Sequence, residues 1–251
     1  RRADACGERG KTKRDFPQPL WLGEQPLRGK TILLHAEQGL GDTLQFCRYA
    51  QLVAEKEAKV LLEVPPSLTT LLKDLHGVRQ VLAQGETLPA FDYHCPLLSL
   101  PFAFHTVLET IPAPERYLYS DEVRVAAWQN KLGRRVNPRI GLVWSGNARQ
   151  RNDRNRAIPL ADFATVLSTG LEFISLQKEV RPADKTLLDV RKDIAHFGDD
   201  LRDFADTAAL IELVDLVITI DTSVAHLAGA MGKAVWILLA YNADFRWLLD
   251  R

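Results

Sequence analysis

The sequence is first informative for what it lacks. Asp-x-Asp occurs nowhere in its 251 residues, so the usual carboxylate pair for holding a divalent metal on a diphosphate is missing. A Walker lysine loop, a Gly-x-Ser-x-Gly elbow and zinc-ligand spacing are missing too. Cysteine is scarce: Cys6, Cys47 and Cys95 are scattered, forming neither a disulfide framework nor a metal motif. That usage fits a reducing cytoplasm. No apolar run is long enough to span a bilayer, and no signal peptide is visible. Formal net charge is zero, so nothing at the level of the whole chain points to nucleic acid. No short-period repeat is present. The chain opens on Arg1 and stops at Arg251 behind an aromatic-rich segment, which reads as a piece of a longer protein.

What is there suffices for a folded α/β protein. The apolar fraction is 46% and the charged fraction 25%, both ordinary for globular chains. Residues 1–25 read as a linker or docking lead-in, with Phe16 and Trp21 among its apolar anchors. From Lys30 onward, β-branched apolar runs alternate with helical periodicity. Strands are expected at Lys30–His35, Lys59–Val64, Val78–Leu82 and Phe91–Cys95, and helices at Asp42–Glu55, Pro66–Leu75 and Asp121–Leu132. Leu97–Pro114, apolar and proline-broken, reads as a floor or acceptor-side loop. Gly133–Pro138 is the best hinge. Beyond it the pattern restarts, with strands at Arg139–Trp144, Leu171–Leu176, Ile194–Phe197, Leu216–Ile220 and Trp236–Leu239. Helices Leu160–Leu167, Pro182–Val190 and Asp203–Val214 lie between them. Such alternation implies parallel sheets covered by helices. Two domains follow, 26–133 and 134–251, facing each other across a cleft.

Four stretches could carry chemistry. Leu216–Ile220 runs straight into Asp221-Thr-Ser-Val-Ala-His226, a strand ending abruptly in a helix start. Free N–H groups and the positive end of the helix dipole then face the cleft, which favours a phosphate. Asp221 would repel one, so it caps the helix or bonds a ligand hydroxyl. His226 lies one turn from Thr222 on the same face; taken alone, a helix histidine is more often a packed residue. Gly39-Leu-Gly41-Asp42, after the first strand, permits a sharp turn and close backbone approach. It lacks the third glycine of a dinucleotide fingerprint, and a helix N-cap at Asp42 explains it as well. Trp144–Pro159 holds Arg149, Arg151, Arg154 and Arg156, whose guanidinium forks suit phosphate oxygens. Most read as a solvated loop; Arg156 stands out because it precedes the apolar helix start Ile158-Pro-Leu160. Gln177, Lys178 and Glu179, at another strand end, could reach a ribose or base.

Taken together, Gly41-Asp42, Gly141-Leu-Val-Trp-Ser-Gly-Asn147 and Asp221–Gly232 resemble glycosyltransferase family 9, the lipopolysaccharide heptosyltransferases, above all the versions attached to bacterial tetratricopeptide repeats. The resemblance runs from about Lys30 onward. It implies the GT-B fold, two Rossmann-like domains around a central cleft. It also implies an inverting, metal-independent glycosyltransferase without a cofactor, in the cytoplasm or peripheral at the inner membrane. Asp42 matches the family's base. Arg156 stands where a donor-phosphate lysine is usual. Gly41, Ser145, Asn147, Gln177, Lys178, Asp221, Thr222, Ser223 and His226 complete the implied donor site. The implied partners are a nucleotide-diphosphate sugar, a glycan, lipid-linked or protein acceptor, and tetratricopeptide repeats. The sequence departs from the family at Ser223, often glycine, and at Arg48, often proline. The long helix that crosses back in GT-B proteins is not evident before Arg251. Two further functions fit the same residues, transfer to protein serine or threonine and an inactive scaffold module.

Overall fold

The computed structural model describes residues 14–148, 153–167 and 170–247. The first half runs β1 (Thr31–His35), α1 (Leu40–Phe46), α2 (Ala50–Ala54), β2 (Lys59–Val64), α3 (Thr69–Leu72), β3 (Val78–Ala83), β4 (Tyr93–Pro96), α4 (Leu100–Ala103) and α5 (Glu122–Leu132). The second runs β5 (Arg139–Val143), α6 (Asp153–Arg156), α7 (Leu160–Phe163), β6 (Glu172–Ser175), α8 (Pro182–Val190), β7 (Ile194–His196), α9 (Phe204–Glu212), β8 (Leu216–Ile220), α10 (Ser223–Ala230) and β9 (Val235–Leu238).

Every strand pairing is parallel, in the orders β3-β2-β1-β4 and β7-β6-β5-β8-β9. Parallel neighbours need a crossover, and helices supply it. Central strands buried on both faces must be apolar throughout, as Ile32–Leu34 and Val60–Leu62 are. In each sheet the strand order reverses beside its first strand, at β1/β4 and at β5/β8. Ligand crevices in doubly wound sheets open outside the carboxyl ends of such strands. Three of the four stretches singled out in the sequence leave from those ends, after β1, β5 and β8, while Gln177–Glu179 follows β6.

Several elements differ from expectation. The helix expected over Asp42–Glu55 is broken into α1, a 3₁₀ turn at Cys47–Tyr49, and α2. At the break Cys47 Sγ bonds the Leu44 carbonyl at 3.3 Å and Arg48 Nε donates to Gln45 O at 2.7 Å; side chains that bond nearby carbonyls compete with regular helix. Pro66–Leu75 is a 3₁₀ turn followed by α3, and Leu97–Pro114 holds α4 between two 3₁₀ turns. Helix α5, placed by sequence in the first half, lies against α9 of the second. Arg124 Nη1 donates to Asp206 Oδ1 at 2.6 Å, and Trp128 meets Phe197 edge-on at 5.6 Å.

Near the start of the described chain, Phe16 lies 5.4 Å from the His35 ring and 4.8 Å from that of His94. Trp21 is fully buried and its indole N–H donates to Gln25 O at 3.0 Å. One apolar cluster continues from the helices of the first sheet through α9 and α10. A smaller one, around Trp144, Leu160 and Phe163, fills the other face of the second sheet.

Candidate active site at the meeting of two helix starts

Helix α10 begins directly off β8. Thr222, in extended conformation, is its N-cap, with Oγ1 accepting the Val224 N–H at 3.3 Å and lying 3.2 Å from Thr219 Oγ1. Capping therefore falls to Thr222, not to Asp221. No acidic residue occupies the first turn, so the dipole is not offset there. The Asp221 backbone carbonyl instead accepts from Arg156 Nη1.

Helix α1 begins at Leu40 with Gly39 as its N-cap. Asp42 is thus the third residue of the helix and not the cap. Its Oδ2 accepts the Gly39 N–H at 3.0 Å, and its Oδ1 accepts from Arg246. The two helix starts touch. A Cβ placed on Gly41 would lie 2.7 Å from His226 Cδ2 and 3.5 Å from Ser223 Cα. The first is a clash with the imidazole and the second an ordinary contact, so a side chain at position 41 would have to displace the His226 ring.

Burial lowers the His226 pKa, opposed by the charges of Asp221 and Asp42 and reinforced by that of Arg246. Its imidazole stacks on Trp247, with ring centroids 5.3 Å apart and planes 14° from parallel. On the other side Arg156 is held over Gly146 by Asp153, with Nε to Oδ1 at 3.6 Å, and a Cβ at Gly146 would collide with its Nη2. Asp153 is itself buried and paired with Arg181. A guanidinium anchored this way stays aimed at the loop after β8.

The remaining predicted donor residues divide. Ser145 is buried; its N–H donates to Gln177 Oε1 at 2.8 Å and its Oγ accepts from Gln177 Nε2 at 3.0 Å. Gln177 also accepts the Trp144 N–H at 2.8 Å and donates to Glu179 O at 3.1 Å. Its amide is committed within the protein at both ends, so it braces the end of β5 and does not reach outward to a ribose or base. Lys178 donates to the Arg202 carbonyl at 3.1 Å on the exposed surface. Asn147 is exposed beside Gly146. Cys6, Arg149, Arg151 and Arg251 lie outside the described residues.

Three residues of the site escaped the sequence. Arg246 and Trp247 come from a 3₁₀ turn 204 positions after Asp42, and no local pattern connects them to it. Glu37 stands between the end of β1 and α1. Its Oε1 accepts the Leu98 N–H at 3.0 Å, joining the loops at the β1/β4 crevice. Its Oε2 is buried without a partner among the described residues. Burial, helped by the charge of Asp42 and opposed by backbone hydrogen bonds, pushes its pKa up to about 7. An acidic residue two positions before Gly39 was the available signal. Arg48, the departure from the family pattern, donates to Pro112 O at 3.0 Å and to Tyr117 Oη at 2.8 Å. It ties the segment after α4 to α1.

Two cavities, of about 450 and 390 Å³, lie elsewhere: one around Arg135, Arg139, Asp215 and Lys233, the other between α5 and α9. Among the described residues no group of three or more His, Cys, Asp or Glu side chains could hold a metal ion, and no helix is long and apolar enough to cross a membrane.

No family model matches the chain. Among curated proteins it is similar to FlbA of Caulobacter vibrioides, 28% identical over 252 residues; the match takes in 89% of this chain but 41% of FlbA. The chain thus spans less than half the length of that relative. Among solved structures, a glycosyltransferase family 9 protein from Veillonella parvula superposes with a TM-score of 0.65 at 12% identity, covering 87% of this chain and 83% of that one. TibC from enterotoxigenic E. coli, described as a dodecameric iron-containing heptosyltransferase, in complex with ADP-D-beta-D-heptose, superposes at 0.61 and 12% identity, over 86% and 60%. Two parallel sheets covered by helices are thus common ground, and the chain shares the GT-B fold of glycosyltransferase family 9 structures, heptosyltransferases among them.

Proposed function

We propose that this chain is an inverting glycosyltransferase domain that moves a sugar from a nucleotide-diphosphate donor to a hydroxyl acceptor. The observation that carries this proposal is the contact of Gly41 with Ser223 and His226. It sets a carboxylate, Asp42, beside a helix start whose first turn holds no acid and which Arg156 flanks. One group can take a proton while the other holds an anionic leaving group.

In this scheme the donor diphosphate rests on the amides of α10 behind Thr222, with the Arg156 guanidinium offsetting the charge that grows as it departs. Ser145 and Asn147 line the same side. The acceptor oxygen attacks the anomeric carbon from the opposite face. The bond from that carbon to the diphosphate oxygen breaks, its electron pair leaving with the diphosphate, and the hydroxyl proton passes to Asp42. One displacement inverts the configuration. Arginine supplies the positive charge and the sequence has no Asp-x-Asp pair, so we assign a metal-independent reaction.

TibC is described in complex with ADP-D-beta-D-heptose, and an ADP-sugar is the first donor to try here. A glycan or lipopolysaccharide-type molecule is the acceptor class we assign for the first assays, E. coli heptosyltransferase II, superposing at a TM-score of 0.57, being described as an ADP-heptose LPS heptosyltransferase. Asp42→Asn should sharply lower transfer without loss of ADP binding, and wild-type turnover should survive EDTA. Undiminished turnover by the variant would remove Asp42 from the mechanism.

A further inference from the structure

We infer that Arg246 is a shared cation, exchanged between Asp42 and the diphosphate of the donor, so that Asp42 becomes a base only in the donor complex. This rests on the donor site proposed above and adds an order of events to it. Both oxygens of Asp42 are engaged, Oδ2 by the Gly39 N–H and Oδ1 by the Arg246 guanidinium. A carboxylate oxygen that faces a guanidinium does not face an acceptor hydroxyl, and a base has to be within hydrogen-bond reach of the proton it takes. For Asp42 to act, Arg246 has to let go.

The surroundings of Arg246 supply a reason for it to do so. The ion pair is largely out of water, the Arg246 and Asp42 side chains being 15% and 17% exposed. Yet Arg246 Nε is buried with no partner among the described residues, and so is the neighbouring indole nitrogen of Trp247. A buried donor left without an acceptor carries a free-energy cost. Here two of them stand on adjacent residues, and the Trp247 ring covers His226, one turn inside α10. Anionic oxygens at that helix start would give both donors a partner and offer Arg246 more negative charge than one carboxylate does. Asp244, which accepts from Arg246 Nη1 at 2.8 Å and from its backbone N–H at 3.1 Å, steadies the segment during the transfer. Donor arrival would then arm the base, and acceptor hydroxyls would meet an unpaired Asp42 only when a leaving group is in place.

ADP and UDP titrated calorimetrically into the wild type, Asp42→Asn, Arg246→Ala and the double variant test this. Asp42→Asn removes the competitor for Arg246 and should bind ADP several-fold more tightly than the wild type. Adding Arg246→Ala to Asp42→Asn should then weaken binding by about tenfold, the scale of one charge-assisted hydrogen bond. Arg246→Lys in the same background, which keeps the charge without the fork, should fall between. Equal affinities for Asp42→Asn and the double variant would overturn the exchange, because Arg246 would then serve Asp42 alone. Failure of the wild type to bind either nucleotide would overturn the donor site itself.

Discussion

The unit β1–α1 and the unit β8–α10 have the same geometry: a buried strand beside the reversal of its sheet, a short turn and a helix whose first turn looks into the crevice. They differ in charge. In α1 an acid, Asp42, sits in the first turn and closes back on the Gly39 amide, so that helix start supplies its own anion. In α10 the cap is a neutral threonine and the first turn holds no acid, which leaves the dipole open to an outside anion. Opposed chemical roles on one backbone plan come down to which residue occupies the first turn.

Mutations can break that contrast. The largest expected effect is on transfer: Asp42→Asn should lower turnover by roughly 10²–10⁴-fold, the usual contribution of a general base, measured with an ADP-sugar donor. Next comes Ser223→Asp, which gives α10 the acid that α1 already has. By repelling phosphate oxygens it should cut ADP affinity more than the loss of one cation does, and unchanged calorimetric affinity would mean the helix start holds no anion. Arg156→Ala should weaken ADP binding by about tenfold. Thr222→Ala leaves the amides in place but removes the cap, and should lower stability by about 1 kcal/mol in chemical denaturation.

The subtlest test concerns Glu37. Its pKa in the fold is raised from 4.5 to about 7, so the native state binds more protons than the unfolded chain between those values. Stability from this group is full below pH 4.5 and is lost as the pH rises through 7. Glu37→Gln should therefore gain melting temperature over the wild type as the pH goes from 5 to 8. A constant difference across that range would show that Glu37 ionises as freely in the fold as outside it.

Most of the fold was legible because doubly buried strands write long apolar runs: β2 and β8 fall where those runs predict, and capping residues mark α5 and α9 at Asp121 and Asp203. The helices of the first half were less legible. Their breaks come from side chains bonding carbonyls, as at Cys47 and Arg48, and periodicity does not register that. In the site, the residues that leave strand ends were visible. The bonds of Gln177 to Trp144, Ser145 and Glu179 were not legible, because a polar residue at a strand end looks the same whether it bonds a ligand or its own neighbours. Arg246 and Trp247 were invisible, since only the folded chain brings positions 42 and 246 together.

Arg48 has a consequence of its own. It fastens Pro112 and Tyr117 to the far end of α1, while the N–H groups of Tyr117 and Leu118 both reach the Ala230 carbonyl at the far end of α10. The two helices already touch at their beginnings, and this strut ties their ends, like the second rung of a ladder. Rotating one against the other would break both rungs at once. The spacing between the two helix starts is therefore set by covalent chain and hydrogen bonds, and in a displacement reaction an error of 1 Å in that spacing can cost about 10²-fold in rate.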